Sequence, residues 1–410
     1  ALERARAAVC LADTIGQERA YARSRLASVL FTAGEPGWAE LYDELIEEAV
    51  ADGNRHLRRA IVTSQVLALW ATGGAPRAEE AARAELVLER PDGFDQHWLG
   101  VASYAGILGL LVGRPREQLV DEFAPLLDRW PAHRTRSFLE AAVVLALTDL
   151  GRHRAATDRL AGVEGRVGVD AQARSIVAWA RVDAAWWSGR APDALAATED
   201  LLALGVGDYP SAVQGRLVGA HAALELGAPL AGPAPTAALP AWQAAPVQWA
   251  ALLAAQDGGI DDAIDGFLAA AAAWTGNDVR SEGRCRWAAG AFAAAGGRAD
   301  AADLLLAAEA VALEHGLDPI LARVRRGLRS IGVVRRAASV DGGGGLTGRE
   351  VAVLELVAEG RTSVSIGAEL GIEPSTVDSF VRSAMRKLGA GTRMAAAVQW
   401  QAASEARTSD

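Results

Sequence analysis

Glycine-marked turns recur along the first three quarters of the chain at nearly constant spacing. They fall at Gly34, Gly74, Gly113, Gly151, Gly189, Gly227, Gly258 and Gly297, with successive gaps of 40, 39, 38, 38, 38, 31 and 39 residues. Each turn separates two Ala-rich segments whose apolar residues follow a helical period, so the repeating unit is a two-helix hairpin. One hairpin cannot bury its own apolar side, whereas stacked neighbours bury each other's. The series therefore predicts an α-solenoid of about eight helical hairpins.

The stretch from Ser175 to Gly205 serves as the type unit. Ile176, Trp179, Ala180 and Val182 to Trp187 form an apolar face before the turn, and Ala194, Leu195, Leu201 and Leu202 continue it afterwards. Gly189 ends the first helix and Pro192 enters the second, the usual placement of the two residue types. The period exceeds the roughly 34 residues of a strict tetratricopeptide repeat. The unit resembles the degenerate tetratricopeptide-like repeats of bacterial regulators, on spacing more than on consensus.

The short gap follows Gly227, where Pro229, Pro233, Pro235, Pro240 and Pro246 crowd the chain. Proline removes a helical hydrogen bond, so a loop is expected where the second helix of this hairpin should stand. Two readings are open for it. It is a surface loop, or it is a lid over the solenoid groove with Trp242 and Trp249 facing a ligand or partner.

Composition agrees with an all-α protein, since Ala dominates and β-favouring runs are absent. The length of 410 residues calls for more than one domain. With a formal charge of −10, any contact with nucleic acid must come from a local patch. Cys10 and Cys285 form no motif, which argues against a zinc site or disulfide framework and fits a reducing cytoplasm. No apolar run reaches the length of about 18 residues expected of a membrane span.

Catalytic constellations are also missing. The six histidines have no metal-ligand spacing with one another or with Cys and carboxylate pairs, and no GxSxG elbow occurs. The only lysine, Lys387, precedes Leu388 rather than Ser or Thr, so a Walker phosphate loop is excluded. The reading is a non-enzyme without cofactor or metal.

Residues 331–345, containing Asp341 to Gly345 as "DGGGG", read as an Arg/Gly-rich linker between a repeat domain, 1–330, and a last domain, 346–410. In that last segment Thr347 and Glu350 form a capping-box pattern, and Val351, Leu354, Val357 and Ala358 give an apolar stripe. Ser363 is placed to cap a short helix through Leu370. After the turn at Gly371, Pro374 or Ser375 opens a helix whose Val377, Phe380, Val381, Ala384, Met385 and Leu388 face inward. A fourth helix runs from about Thr392 to Gln401. Two short helices across a tight turn, with a third behind, make a helix-turn-helix.

The segment resembles the four-helix LuxR-type DNA-binding domain. Leu346-Thr347, Arg349-Glu350, Val353-Leu354, Ala358-Glu359-Gly360, Ile366, Leu370-Gly371-Ile372, Pro374, Thr376-Val377, Arg386-Lys387-Leu388-Gly389 and Arg393 carry the likeness. It implies that the helix from Ser375 to Leu388 enters the major groove. Asp378, Ser379 and Arg382 would face bases, while Thr376, Ser383, Arg386 and Lys387, with Thr362 and Ser363, would hold phosphates. Asp378, Val364 and Phe380 depart from the usual Lys, polar or basic residue, and His. From Leu346 to Ala402 six cations meet six acids, so the module is neutral and its unaided affinity is expected to be weak. Arg323, Arg325, Arg326, Arg329, Arg335 and Arg336 read either as flanking phosphate contacts or as cations at a helix end.

A solenoid followed by such a domain resembles the C-terminal half of the large ATP-binding LuxR regulators. With Ala1 in place of Met, the chain reads as a piece of such a regulator or a shorter relative. The implied protein is a transcriptional regulator that binds promoter DNA as a homodimer or higher oligomer, with a small-molecule or protein effector at the repeats. The competing reading is a protein-interaction scaffold that has lost DNA binding.

Overall fold

A computed structural model describes residues 1–15, 18–88, 94–129, 136–164, 170–236, 240–333 and 346–408. Most of the expected linker, including Arg335, Arg336 and Asp341 to Gly345, lies outside them. The chain divides into two compact units, Ala1–Gly327 and Leu328–Asp410. Among the described residues every regular element is helical, and no helix is long and apolar enough to cross a membrane.

In the first unit α1 (Leu2–Ile15) precedes a hairpin of α2 (Arg19–Ala33) and α3 (Trp38–Ala51). Next come α4 (Arg55–Ala71) with α5 (Ala75–Leu88), and α6 (Gln96–Leu111) with α7 (Arg116–Arg129). They are followed by α8 (Arg136–Asp149) with α9 (His153–Glu164), and α10 (Ala171–Trp187) with α11 (Ala191–Ala203). Then α12 (Pro210–Leu226) stands without a second helix among the described residues. A single 3-10 turn, Pro240–Trp242, leads to α13 (Ala244–Gln256) and α14 (Ile260–Trp274). The array ends with α15 (Val279–Ala295), α16 (Ala301–Glu314) and α17 (Asp318–Ser330). The prolines after Gly227 thus replace a helix with loop, as their chemistry requires.

Seven of the eight marked glycines adopt the left-handed conformation, with φ between 64° and 87°. At the second turn Gly73, at φ 91°, takes that role instead of Gly74. The reason for glycine is plain at Gly189. Its N–H donates to Trp186 O at 3.0 Å and that of Arg190 to Ala185 O at 2.9 Å, closing carbonyls left open by the helix end. Helix starts are equally local. Asp95, Asp170 and Asp278 each accept backbone N–H bonds from the first turn of the helix that follows.

Helices α4, α6, α8, α10 and α12 pack in succession as an inner layer, with α5, α7, α9 and α11 outside them. The outer helices bury one face only, whereas α6, α8, α10 and α12 are buried almost throughout. That all-round burial arises because the array winds back on itself. α15 packs on α6, and the 3-10 turn packs on α4. Close approach of α11 to α12 depends on Gly219, where a Cβ would lie 2.1 Å from Thr198 Oγ1.

A buried ion network fixes this closure. Arg280 of α15 reaches Asp149 of α8 at 3.0 Å and Asp183 of α10 at 2.9 Å, and Arg116 of α7 adds a 3.1 Å bond to Asp149. Trp179 Nε1 donates to Asp183 at 3.2 Å. Burial holds the Asp183 carboxyl above the usual carboxylate range despite the attraction of Arg280. Arg323 of α17 lies 4.4 Å over the Trp186 ring and close to those of Trp187 and Trp287, and pairs with Glu225.

Candidate nucleic-acid interface

The second unit contains α18 (Gly348–Ala358), α19 (Ser363–Leu370), α20 (Pro374–Leu388) and α21 (Arg393–Thr408). Its core is built by Val353, Leu354 and Val357 of α18, Ile366 of α19, and Val377, Val381 and Ala384 of α20, with Ala396, Ala397 and Trp400 of α21. Phe380, Met385 and Leu388 pack against this core while half-buried.

The capping box is formed. Thr347 Oγ1 accepts from Glu350 N, and Thr347 N donates to Glu350 Oε2 at 2.6 Å. Lys387 Nζ donates to the same oxygen at 2.7 Å, across 37 residues. Burial alone would raise the Glu350 carboxyl, but donors from Lys387, Ser383 and Thr347 hold it below the ordinary range. Lys387, assigned to phosphate in the sequence reading, is thus tied to the base of α18.

One cap differs from expectation. Thr362, with extended backbone, caps α19 by accepting from Ser365 N at 3.2 Å, and Ser363 is the first helical residue. Relieved of capping, Ser363 Oγ donates to Asp378 Oδ1 at 2.6 Å and accepts from Arg393 Nη1 at 3.2 Å. Arg393 also donates to Arg361 O at 2.9 Å. The three residues join α19, α20 and α21, which gives the unusual acid a partner inside the domain. Sequence reasoning could not reach this network, because 15 and 30 residues separate Ser363 from its partners.

Between α19 and α20 the chain reverses at Gly371, φ 66°, and Ile372 N donates to Gly367 O at 2.9 Å. A Cβ on Gly367 would lie 2.6 Å from Ile372 O, so this residue sets how tightly the turn closes. Pro374 occupies the first turn of α20, where no N–H is needed.

The side of α20 opposite the core presents Ser375, Asp378, Ser379, Arg382 and Arg386, all exposed, with Thr376 and Ser383 half-buried at its edges. Arg382 Nε rests on Asp378 O at 3.2 Å, and Arg386 contacts Ser383 Oγ at 3.5 Å. Neither forms an ion pair among the described residues. By contrast Arg361 pairs with Glu359 and Glu369, and Lys387 with Glu350. Internal pairing consumes several of the domain's acids and leaves two cations outward on one helix.

In the first unit, Trp242 and Trp249 are buried at 6% and 3% exposure. Trp242 stacks edge-on against Trp70 at 5.5 Å. Of the arginines weighed as flanking contacts, Arg323 is engaged as above and Arg325 pairs with Glu309 at 3.1 Å. Among the described residues no group of His, Cys, Asp and Glu is arranged to hold a metal ion.

The HTH-type transcriptional activator RamA of Corynebacterium glutamicum is 54% identical to this chain over 48 residues, 12% of the chain and 17% of that protein. The chain therefore spans about a sixth of this relative's length in the aligned region. Residues 345–399 match bacterial regulatory proteins of the luxR family. Four helices, a capped entry, a glycine turn and an outward cationic helix coincide with that match, and the C-terminal unit is a LuxR-type helix-turn-helix domain.

Proposed function

We propose that the protein is a DNA-binding transcriptional regulator in which α20 reads the major groove and the helical unit responds to a ligand or partner. The observation that carries the reading is the pair Arg382 and Arg386, exposed on one face of α20 and not neutralised by an acid. A guanidinium can donate two bonds to guanine O6 and N7, or grip a phosphate. Ser375, Thr376, Ser379 and Ser383 supply neutral donors along the same helix, and Thr362 and Ser363 flank it from α19. Asp378 sits in the middle of that face and accepts from Ser363, so it acts first as a clamp on helix placement. With α20 in the groove, its second oxygen would accept from a cytosine amino group.

So few free cations imply weak binding by one copy. Two copies on adjacent half-sites gain through effective concentration, which supports a homodimer or higher oligomer on a promoter in the cytoplasm. The relative's printed role as a transcriptional activator supports regulation at this level.

Selection of bound sequences from a random duplex pool, followed by titration at two salt concentrations, tests the reading. Arg382→Ala should cost about 1–3 kcal/mol at one base position and relax specificity there. Arg386→Ala should weaken all sequences alike and reduce the logarithmic salt slope by about 0.9. The scaffold alternative, motivated by the neutral charge, expects no enriched sequence; that outcome would transfer the α20 face to a protein partner.

A further inference from the structure

Within the first unit, the inner helices enclose a cavity of about 250 Å³. Its walls come from α4, α6, α8, α10 and the start of α12, so it belongs to five consecutive repeats. The rings of Trp70, Tyr104, Phe138, Trp179 and Tyr209 line it. Trp70, Tyr104, Phe138 and Tyr209 remain partly exposed, which opens the space to solvent. The hollow has a sequence cause. On the wall that α6 contributes, Gly100 and Ser103 stand where a larger side chain would occupy the space.

The polar lining is selective. Among the described residues no Arg, Lys or His lines the cavity, and its carboxylate is Asp170, which caps α10 through a 2.9 Å bond from Ala173 N. An anion there would lie beside that carboxylate, and like charges repel. Gln172 donates to the Tyr209 hydroxyl, fixing its orientation. The Tyr104 hydroxyl has no hydrogen-bond partner among the described residues. Burial, reinforced by Tyr209, pushes its phenol well up, so it remains a neutral donor.

We infer that this cavity is the effector site, and that it takes a flat molecule of one or two rings, not an anion, bearing a hydroxyl or carbonyl that pairs with Tyr104. The inference rests on reading the helical unit as the sensing part of the regulator. The size fits, since the volume equals that of about eight waters at roughly 30 Å³ each. Stacking between aromatic walls supplies affinity and the few polar groups set orientation, as in other small-molecule sites.

The test uses the full chain and two probes sharing one ring frame, 2-naphthol and the anion 2-naphthoate. Binding is followed by saturation-transfer NMR and calorimetric titration. Saturable binding of 2-naphthol, at least tenfold tighter than that of 2-naphthoate, is expected. Gly100→Leu fills the space from the wall; a Cβ there meets Thr63 only at 3.5 Å, so the helix tolerates it, and binding should vanish. Tyr104→Phe keeps the ring and should weaken 2-naphthol about two- to tenfold. Should Gly100→Leu unfold by circular dichroism, Ser103→Phe replaces it. No saturable 2-naphthol binding to millimolar concentration, equal binding of 2-naphthoate, or undiminished binding by the filled variants overturns the inference. Parallel DNA retardation separates the two readings. A chain that binds DNA but no probe refutes the cavity site alone, and one that binds the probe but no DNA refutes the regulator alone.

Discussion

Replacing Lys387 with Ala distinguishes a clamp from a phosphate contact. Glu350 is only 3% exposed and takes three donors on one oxygen, Thr347 N at 2.6 Å, Lys387 Nζ at 2.7 Å and Thr347 Oγ1 at 3.0 Å. Loss of the charged donor removes a bond worth about 1.5–3 kcal/mol and leaves a buried carboxylate less satisfied. A unit of this size is stable by only ~3–9 kcal/mol, so the change takes a large share. At about 2 kcal/mol, amide exchange across α18 and α20 in the full chain should accelerate roughly thirtyfold. The Glu350 carboxyl is held below its ordinary range, so its stabilisation is fully present above the unfolded pKa and is lost as pH falls through the folded one. The gap between variant and parent should therefore narrow under acid. If Lys387 instead grips phosphate, the salt slope of DNA binding drops by about 0.9 while exchange stays unchanged. That pair of results would refute the clamp.

Arg280→Met should destabilise the first unit by about 3–5 kcal/mol, because Asp149 and Asp183 lose a buried partner. Asp183 is held above the usual range, so the cost is greatest at neutral pH and eases as pH falls and the carboxyl protonates; thermal unfolding at pH 7.5 and 5.5 checks it, and a pH-independent gap contradicts it. Asp378→Ala gives up the bond from Ser363, about 0.5–1.5 kcal/mol, while removing an acid from the α20 face. Binding to random duplex should rise and preference for the selected site should fall, measured by competition; equal gains on both would count against a base-reading role. Gly367→Val forces side-chain atoms onto the Ile372 carbonyl and should cost about 1–3 kcal/mol, seen as faster exchange confined to α19 and α20.

Features of short range were legible in the sequence. Turn glycines, the capping box at Thr347 and Glu350, the loop after Gly227 and the inward stripe of α20 all depend on neighbours within about one helical turn or one hairpin. The cap of α19 slipped by one residue, since Thr362 and Ser363 both carry hydroxyls and only backbone geometry chooses between them. Contacts set by the pitch of the array were out of reach. Arg280 meets Asp149 across 131 residues, and nothing in either local sequence marks the pair. Trp242 was open to a ligand-facing role from its place among prolines, but a 3-10 turn lays its ring on Trp70 of α4. The cavity left no sequence signal because it is defined by small residues, Gly100 and Ser103, seen only against the helices opposite.

The ion network around Arg280 also limits how this kind of protein can be edited. Repeat arrays are usually modular, since each unit touches only its neighbours and can be inserted, deleted or shuffled at the expense of one interface. Here α15 answers to α8 and α10 at once, so the number of hairpins between them is fixed by where a single guanidinium must arrive. Excising the α10–α11 hairpin would remove Asp183 and carry Arg280 away from Asp149, even with each remaining junction intact. Length variation in such a chain is therefore confined to the segments outside the closed part of the array, before α4 or after α15.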